Sequence, residues 1–136
     1  MKNFDEKYFT KFSFTKEEID KNFQNAVRDI EIAEKDGIPE VKFNYSYSAL
    51  IKTGLAILSL HQLKAKSVPG HHIEIINGLS RILKDQSISE MGNLMRSKRN
   101  MDFYSGGIEI TDKECLEYLA FAKNILNKAL FLQKSS

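Results

Sequence analysis

Apolar residues recur at spacings of three and four in five stretches of the chain, each bounded by residue types that start or stop helices. The first stretch opens at Thr15-Lys16-Glu17-Glu18, where Thr15 and Glu18 are spaced to satisfy each other's backbone amides in a capping box. Behind it Ile19, Phe23, Val27, Ile30 and Ala33 share one face, and Lys35-Asp36-Gly37-Ile38-Pro39 is expected to stop the helix. A second helix is expected over about residues 44–64. Its stripe of Tyr47, Leu50, Ile51, Leu55, Leu58 and Leu63 is broad, with Ala49, Gly54 and Ala56 as small fillers. Such a stripe suits a central helix that touches several neighbours.

Ser67-Val68-Pro69-Gly70 reads as a turn, after which a third helix points Ile73, Ile76, Leu79 and Leu83 inward. Ser87 or Ser89 is placed to cap a fourth helix, expected over about residues 88–103 and ended by Gly106-Gly107. The fifth opens on a second capping box, Thr111-Asp112-Lys113-Glu114, and is expected to reach about residue 132. Its apolar residues, among them Leu116, Leu119, Phe121, Ile125 and Leu130, wrap more than one face, which leaves one side for a partner subunit.

No alternating run bounded by hairpin turns stands out, so no sheet is expected. Short connections favour antiparallel neighbours. The expected class is therefore all-α, an up-and-down bundle of four to five helices over residues 15–132. Residues 1–14 form an aromatic arm, with Phe4, Tyr8, Phe9, Phe12 and Phe14. It is too apolar for a solvated tail and is expected to pack on the bundle or on a second copy.

Composition narrows the function classes. The 136 residues fit one domain, and 42% hydrophobic against 28% charged residues is a balance that builds a core. A formal charge of only +2 gives no global basic field, so an anionic partner must be held by a local cluster. The one cysteine, Cys115, forms neither an internal disulfide nor a zinc site alone and reads as a packing residue. The first ten residues lack the apolar core of a secretory signal, and no apolar stretch approaches the roughly 20 residues that span a bilayer. A cytoplasmic protein with no cofactor, no metal and no membrane partner is expected.

The local cluster lies over residues 95–104, Met95-Arg96-Ser97-Lys98-Arg99-Asn100-Met101-Asp102-Phe103-Tyr104. At about 100° per residue, Arg96, Arg99 and Asn100 share a helix face, and Phe103 continues that row. A guanidinium's planar fork suits bidentate contact with phosphate, and Asn100 is able to orient a neighbour or a ligand. The same run also reads as a solvated basic face, its cations favoured by a helix C-terminus. His71 and His72 diverge by about 100° on a helix and are ill placed to share a metal. One imidazole is expected to pack or cap the third helix while the other faces solvent. Tyr45 and Tyr47 suit either base stacking or core anchoring.

The order of these features resembles the HEPN family of toxin–antitoxin and defence systems. The likeness covers residues 15–132. It rests on a tyrosine-bearing second helix, the Ser67-x-x-Gly70-His71-His72 turn, Arg99-Asn100-x-x-x-Tyr104 late in the fourth helix, and a glycine turn before an acid-capped last helix. The resemblance implies a homodimer whose two motifs meet across a cleft that binds RNA or a nucleotide. Active members carry Arg-x(4–6)-His and cut RNA without a metal; here Arg99 and Asn100 match that motif, and Tyr104 stands in the histidine's place. A phenol, with an ordinary pKa of about 10, is a poor base at neutral pH where an imidazole is a good one. If Tyr104 instead matches a tyrosine found just beyond that histidine, Asp102 takes the histidine position.

The expected function is therefore RNA or nucleotide binding without efficient cleavage, with Arg96, Lys98, Arg99 and His72 binding and Arg99, Asn100 and Tyr104 as the candidate catalytic set. Two alternatives stand beside it. One is a metal-independent endoribonuclease in which Tyr104 or His72 replaces the histidine. The other is a non-catalytic partner subunit of a small nucleotidyltransferase.

Overall fold

The Thr15 capping box forms as expected, with Glu18 N–H donating to Thr15 Oγ1 at 3.1 Å and Thr15 N–H donating to Glu18 Oε1 at 2.9 Å. It starts α1, Lys16–Lys35. The computed structural model describes residues 4–104 and 109–136, with side chains for 4–101 and 109–136. Four further helices follow: α2 (Pro39–Leu60), α3 (His71–Leu83), α4 (Gln86–Tyr104) and α5 (Asp112–Lys134). The chain is thus mostly helical. Among the described residues no helix is long and apolar enough to cross a membrane.

Three boundaries differ from expectation. Pro39 does not merely end α1; it occupies the first turn of α2, where its missing N–H has no intrahelical partner to lose. Helix α2 therefore begins about five residues early, and it stops at Leu60, so that Leu63 falls in a strand. Helix α4 is capped by neither Ser87 nor Ser89. The carboxylate of Asp85 accepts from Ser87 N–H at 3.0 Å and from Ser87 Oγ at 2.6 Å. The glycine pair Gly106-Gly107, expected to end α4, lies outside the described residues.

The expectation of no sheet is also corrected. The aromatic arm supplies β1 (Phe9–Lys11), which pairs antiparallel with β2 (Leu63–Ala65) in the register Phe9↔Ala65, Thr10↔Lys64 and Lys11↔Leu63. Phe9 and Leu63 are buried, and Phe4, Tyr8 and Phe14 pack against the same core. The arm thus seals the end of α2 and α3, while Phe12 stays exposed.

Helix α2 is central, as its broad stripe implies: it contacts α1, α3, α4, α5 and β2. The larger core gathers Phe23, Phe43, Tyr47, Leu50, Ile57, Leu58, Ile76, Leu79 and Met95. A second cluster joins α1, α2 and α5 through Ala26, Ile30, Ala33, Ala49, Ala122 and Leu126, where four alanines allow close approach. Cys115 is buried and donates its thiol to the Pro39 carbonyl at 3.4 Å, a packing residue as expected.

Candidate functional site

Helix α3 starts where the β2–α3 turn closes, and Gly70 precedes it with φ of 81°. A side chain is strained at that angle, so the glycine lets the chain swing directly from the turn into the helix. The turn and the first residues of α3 form one wall of a cavity of about 450 Å³, lined by residues 67–73. Arg96 and Asn100 of α4 form the facing wall. Of the three residues that helical spacing set on one face, Arg96 and Asn100 line this cavity together with His71 and His72, and Arg99 does not.

Arg99 takes a different place. Its guanidinium lies over the Tyr47 ring, 5.6 Å from the centroid, and joins α4 to the core of α2. Tyr47 is almost fully buried, and its hydroxyl is 3.1 Å from His72 Nδ1. Burial pushes the Tyr47 phenol up to about 12 despite the opposing fields of Arg99 and Arg96. Burial likewise pushes His72 down to about 4, with His71, Arg99 and Arg96 adding repulsion in that order. At pH 7 both groups are neutral. When the phenol donates to Nδ1, the neutral imidazole carries its own proton on the other nitrogen and offers the cavity a donor instead of a base.

Neither histidine simply faces solvent, which corrects the expectation for this pair. His71 Nδ1 donates to the Val68 carbonyl at 2.9 Å, and the two rings meet edge to face at 4.5 Å. Both are half-buried. Among the described residues no group of three or more histidines, cysteines or acids is placed to hold a metal.

Lys98, expected among the binding residues, is not brought to this cavity. It reaches α5, where its ammonium pairs with Glu114 at 3.4 Å, and Glu114 is held below the usual carboxylate range first by the Thr111 amide and then by Lys98. The side chain of Tyr104, the candidate in the histidine position, lies outside the described residues, as do those of Asp102 and Phe103. Of the earlier candidates, the fold thus gathers Arg96, Asn100 and His72 at one cavity and sets Arg99 over the Tyr47 ring.

Sequence reasoning missed the polar residues that support Arg96. Ser89, Asn93, Arg96 and Asn100 follow one another at intervals of four, three and four, a stripe that a helical wheel reveals. Asn77 of α3 completes the group by accepting from Ser89 Oγ at 3.1 Å. Tyr47 suits stacking or core anchoring by its sequence position alone, and its contact with His72, 25 residues away, has no local signal.

Comparison with protein-family models, with curated proteins and with solved structures finds no match for this chain.

Proposed function

We propose that this cavity takes a phosphate of RNA or of a nucleotide, and that the chain acts as a HEPN-like homodimer that binds its ligand without cutting it efficiently. The observation that carries the reading is the position of Arg96 and Asn100 across a cavity of about 450 Å³ from residues 67–73. A guanidinium, an amide and half-buried imidazoles facing one space suit an anion with several acceptor oxygens. The volume suits a nucleotide-sized ligand better than the groove of a duplex. Arg99, over the Tyr47 ring, adds positive potential at His72.

Weak cleavage follows from the state of His72. A base that removes a 2′-hydroxyl proton near neutrality works best with a pKa near the working pH. His72, pushed down to about 4, is unprotonated but weakly basic, and Tyr47 occupies its Nδ1. Leu94 and Met101 on α4 and Leu116 and Phe131 on α5 are exposed apolar side chains that a second copy would cover.

Titration of a fluorescent single-stranded RNA in EDTA tests the proposal. Arg96→Ala weakens binding by about tenfold or more, the scale of losing a charge-assisted hydrogen bond. Arg99→Ala weakens it less, and the RNA stays intact on a gel. Affinity unchanged in both variants removes the cavity from consideration. Cutting that survives EDTA and vanishes in His72→Gln favours the endoribonuclease reading, which the placement of His72 at the cavity wall supports. Sedimentation of the same sample checks the dimer, and Leu94→Glu with Met101→Glu is expected to shift it towards monomer.

A further inference from the structure

We propose that Asn93 is a positioning residue for the anion site: it biases the orientation of the Arg96 guanidinium through a polar ladder built between α3 and α4. This rests on the reading of Arg96 as the phosphate ligand. The α3–α4 interface is otherwise apolar, with Ile76, Leu79, Ile88 and Met95 buried in it or beside it. Asn77, Ser89 and Asn93 stand at its edge, half-buried and hydrogen-bonded to one another.

The hydrogen bonds define which way the Asn93 amide points. Asn93 Nδ2 donates to the Ser89 carbonyl at 2.8 Å, an atom that only accepts. It also approaches Asn77 Oδ1 at 3.4 Å, and that oxygen accepts from Ser89 Oγ at 3.1 Å. With its nitrogen committed twice, Asn93 turns its oxygen towards α4's next turn, where Arg96 Nε donates to Oδ1 at 3.4 Å. Holding Nε leaves the two terminal amino groups of Arg96 as the fork that meets an anion.

The backbone beneath the ladder is pinned by the neighbouring residue. A Cβ on Gly92 would come within 2.7 Å of Ile76 Cγ2 and 3.3 Å of Leu50 Cδ2, so α4 packs closely on α2 and α3 there and a larger residue would have to displace those side chains. A long, flexible arginine loses rotamer freedom when it binds, and a partner that holds its Nε beforehand removes part of that loss. The long final contact marks a bias in orientation, not a clamp.

A double-mutant cycle on RNA binding tests this, using Asn93→Leu, Arg96→Ala and the pair together, with thermal unfolding as a check on folding. Asn93→Leu is expected to weaken RNA binding by about fivefold, the range of one hydrogen bond. It is expected to add nothing once Arg96 is alanine. An equal loss in both backgrounds means that Asn93 acts through the fold at large and overturns the proposal. Loss in Arg96→Ala with none in Asn93→Leu overturns it too, while leaving the anion site standing. No loss in Arg96→Ala removes the underlying site.

A ligand-free readout covers the remaining case. The Nε–H resonance of Arg96, followed by NMR in the full chain, is expected to exchange slowly with solvent and to lose that protection in Asn93→Leu. Identical exchange in the two proteins overturns the proposal whatever the ligand.

Discussion

Acidification should destabilise this protein through one imidazole, and the size of the effect follows from the site. His72 is held neutral by burial, by His71 and by two guanidinium groups, which bring its pKa down to about 4. In the unfolded chain the same ring has the ordinary value near 6.5. Between those values the unfolded chain binds a proton that the folded chain refuses, so stability rises with pH through this window and falls as pH drops. Above pH 6.5 both states are neutral and the term is flat; below about pH 4 both are protonated and it is flat again.

Each pH unit of that window is worth about 1.36 kcal/mol, so the full difference has a ceiling of about 3 kcal/mol. From pH 7 to pH 4.5 the ceiling is about 2 kcal/mol. Partial exposure of the ring screens the charges, which brings the expected loss nearer 1 kcal/mol. His72→Gln removes the titration while retaining a polar group for the Tyr47 hydroxyl. Urea denaturation of both proteins at pH 7, 5.5 and 4.5 isolates the term, because carboxylate titration is common to the two. The stability of the natural protein should fall more steeply with acid, by about 1 kcal/mol over the range. Parallel curves would refute the reasoning, as would an NMR titration of the His72 ring centred at its ordinary value.

Two further outcomes follow from packing and capping. Gly92→Ala places a methyl against Ile76 and Leu50, and prying α4 from α2 and α3 should destabilise by about 1–3 kcal/mol, visible as a lower melting temperature. Thr15→Ala removes the acceptor for Glu18 N–H and should cost about 1 kcal/mol in chemical denaturation without changing RNA affinity.

Local chemistry made the helices legible. The Thr15 and Thr111 capping boxes use partners three residues apart, and both form. The broad stripe of α2 marks it as central because each helical face must meet some apolar surface. Spacing set Arg96, Arg99 and Asn100 on one face, and only Arg96 and Asn100 line the cavity. Where a residue serves two roles, local reading fails. Pro39 fits both a helix stop and a first turn, and only the packing of Phe43 and Tyr47 into the core decides that α2 starts there. Asp85 caps α4 from just outside the periodic pattern.

Long-range pairing was beyond the sequence altogether. Three-residue strands carry no period, and β1 meets β2 only because both lie beside the end of α2, more than 50 residues apart in the chain. The site divides along the same line. The helical pitch determined which side chains of α4 travel together. Tertiary packing decided that Arg96 and Asn100 face the turn before α3, that Arg99 lies on Tyr47, and that Lys98 leaves for Glu114. A helix sets the angle between its own residues through its backbone, whereas what stands opposite each of them depends on how the other helices bury their apolar faces.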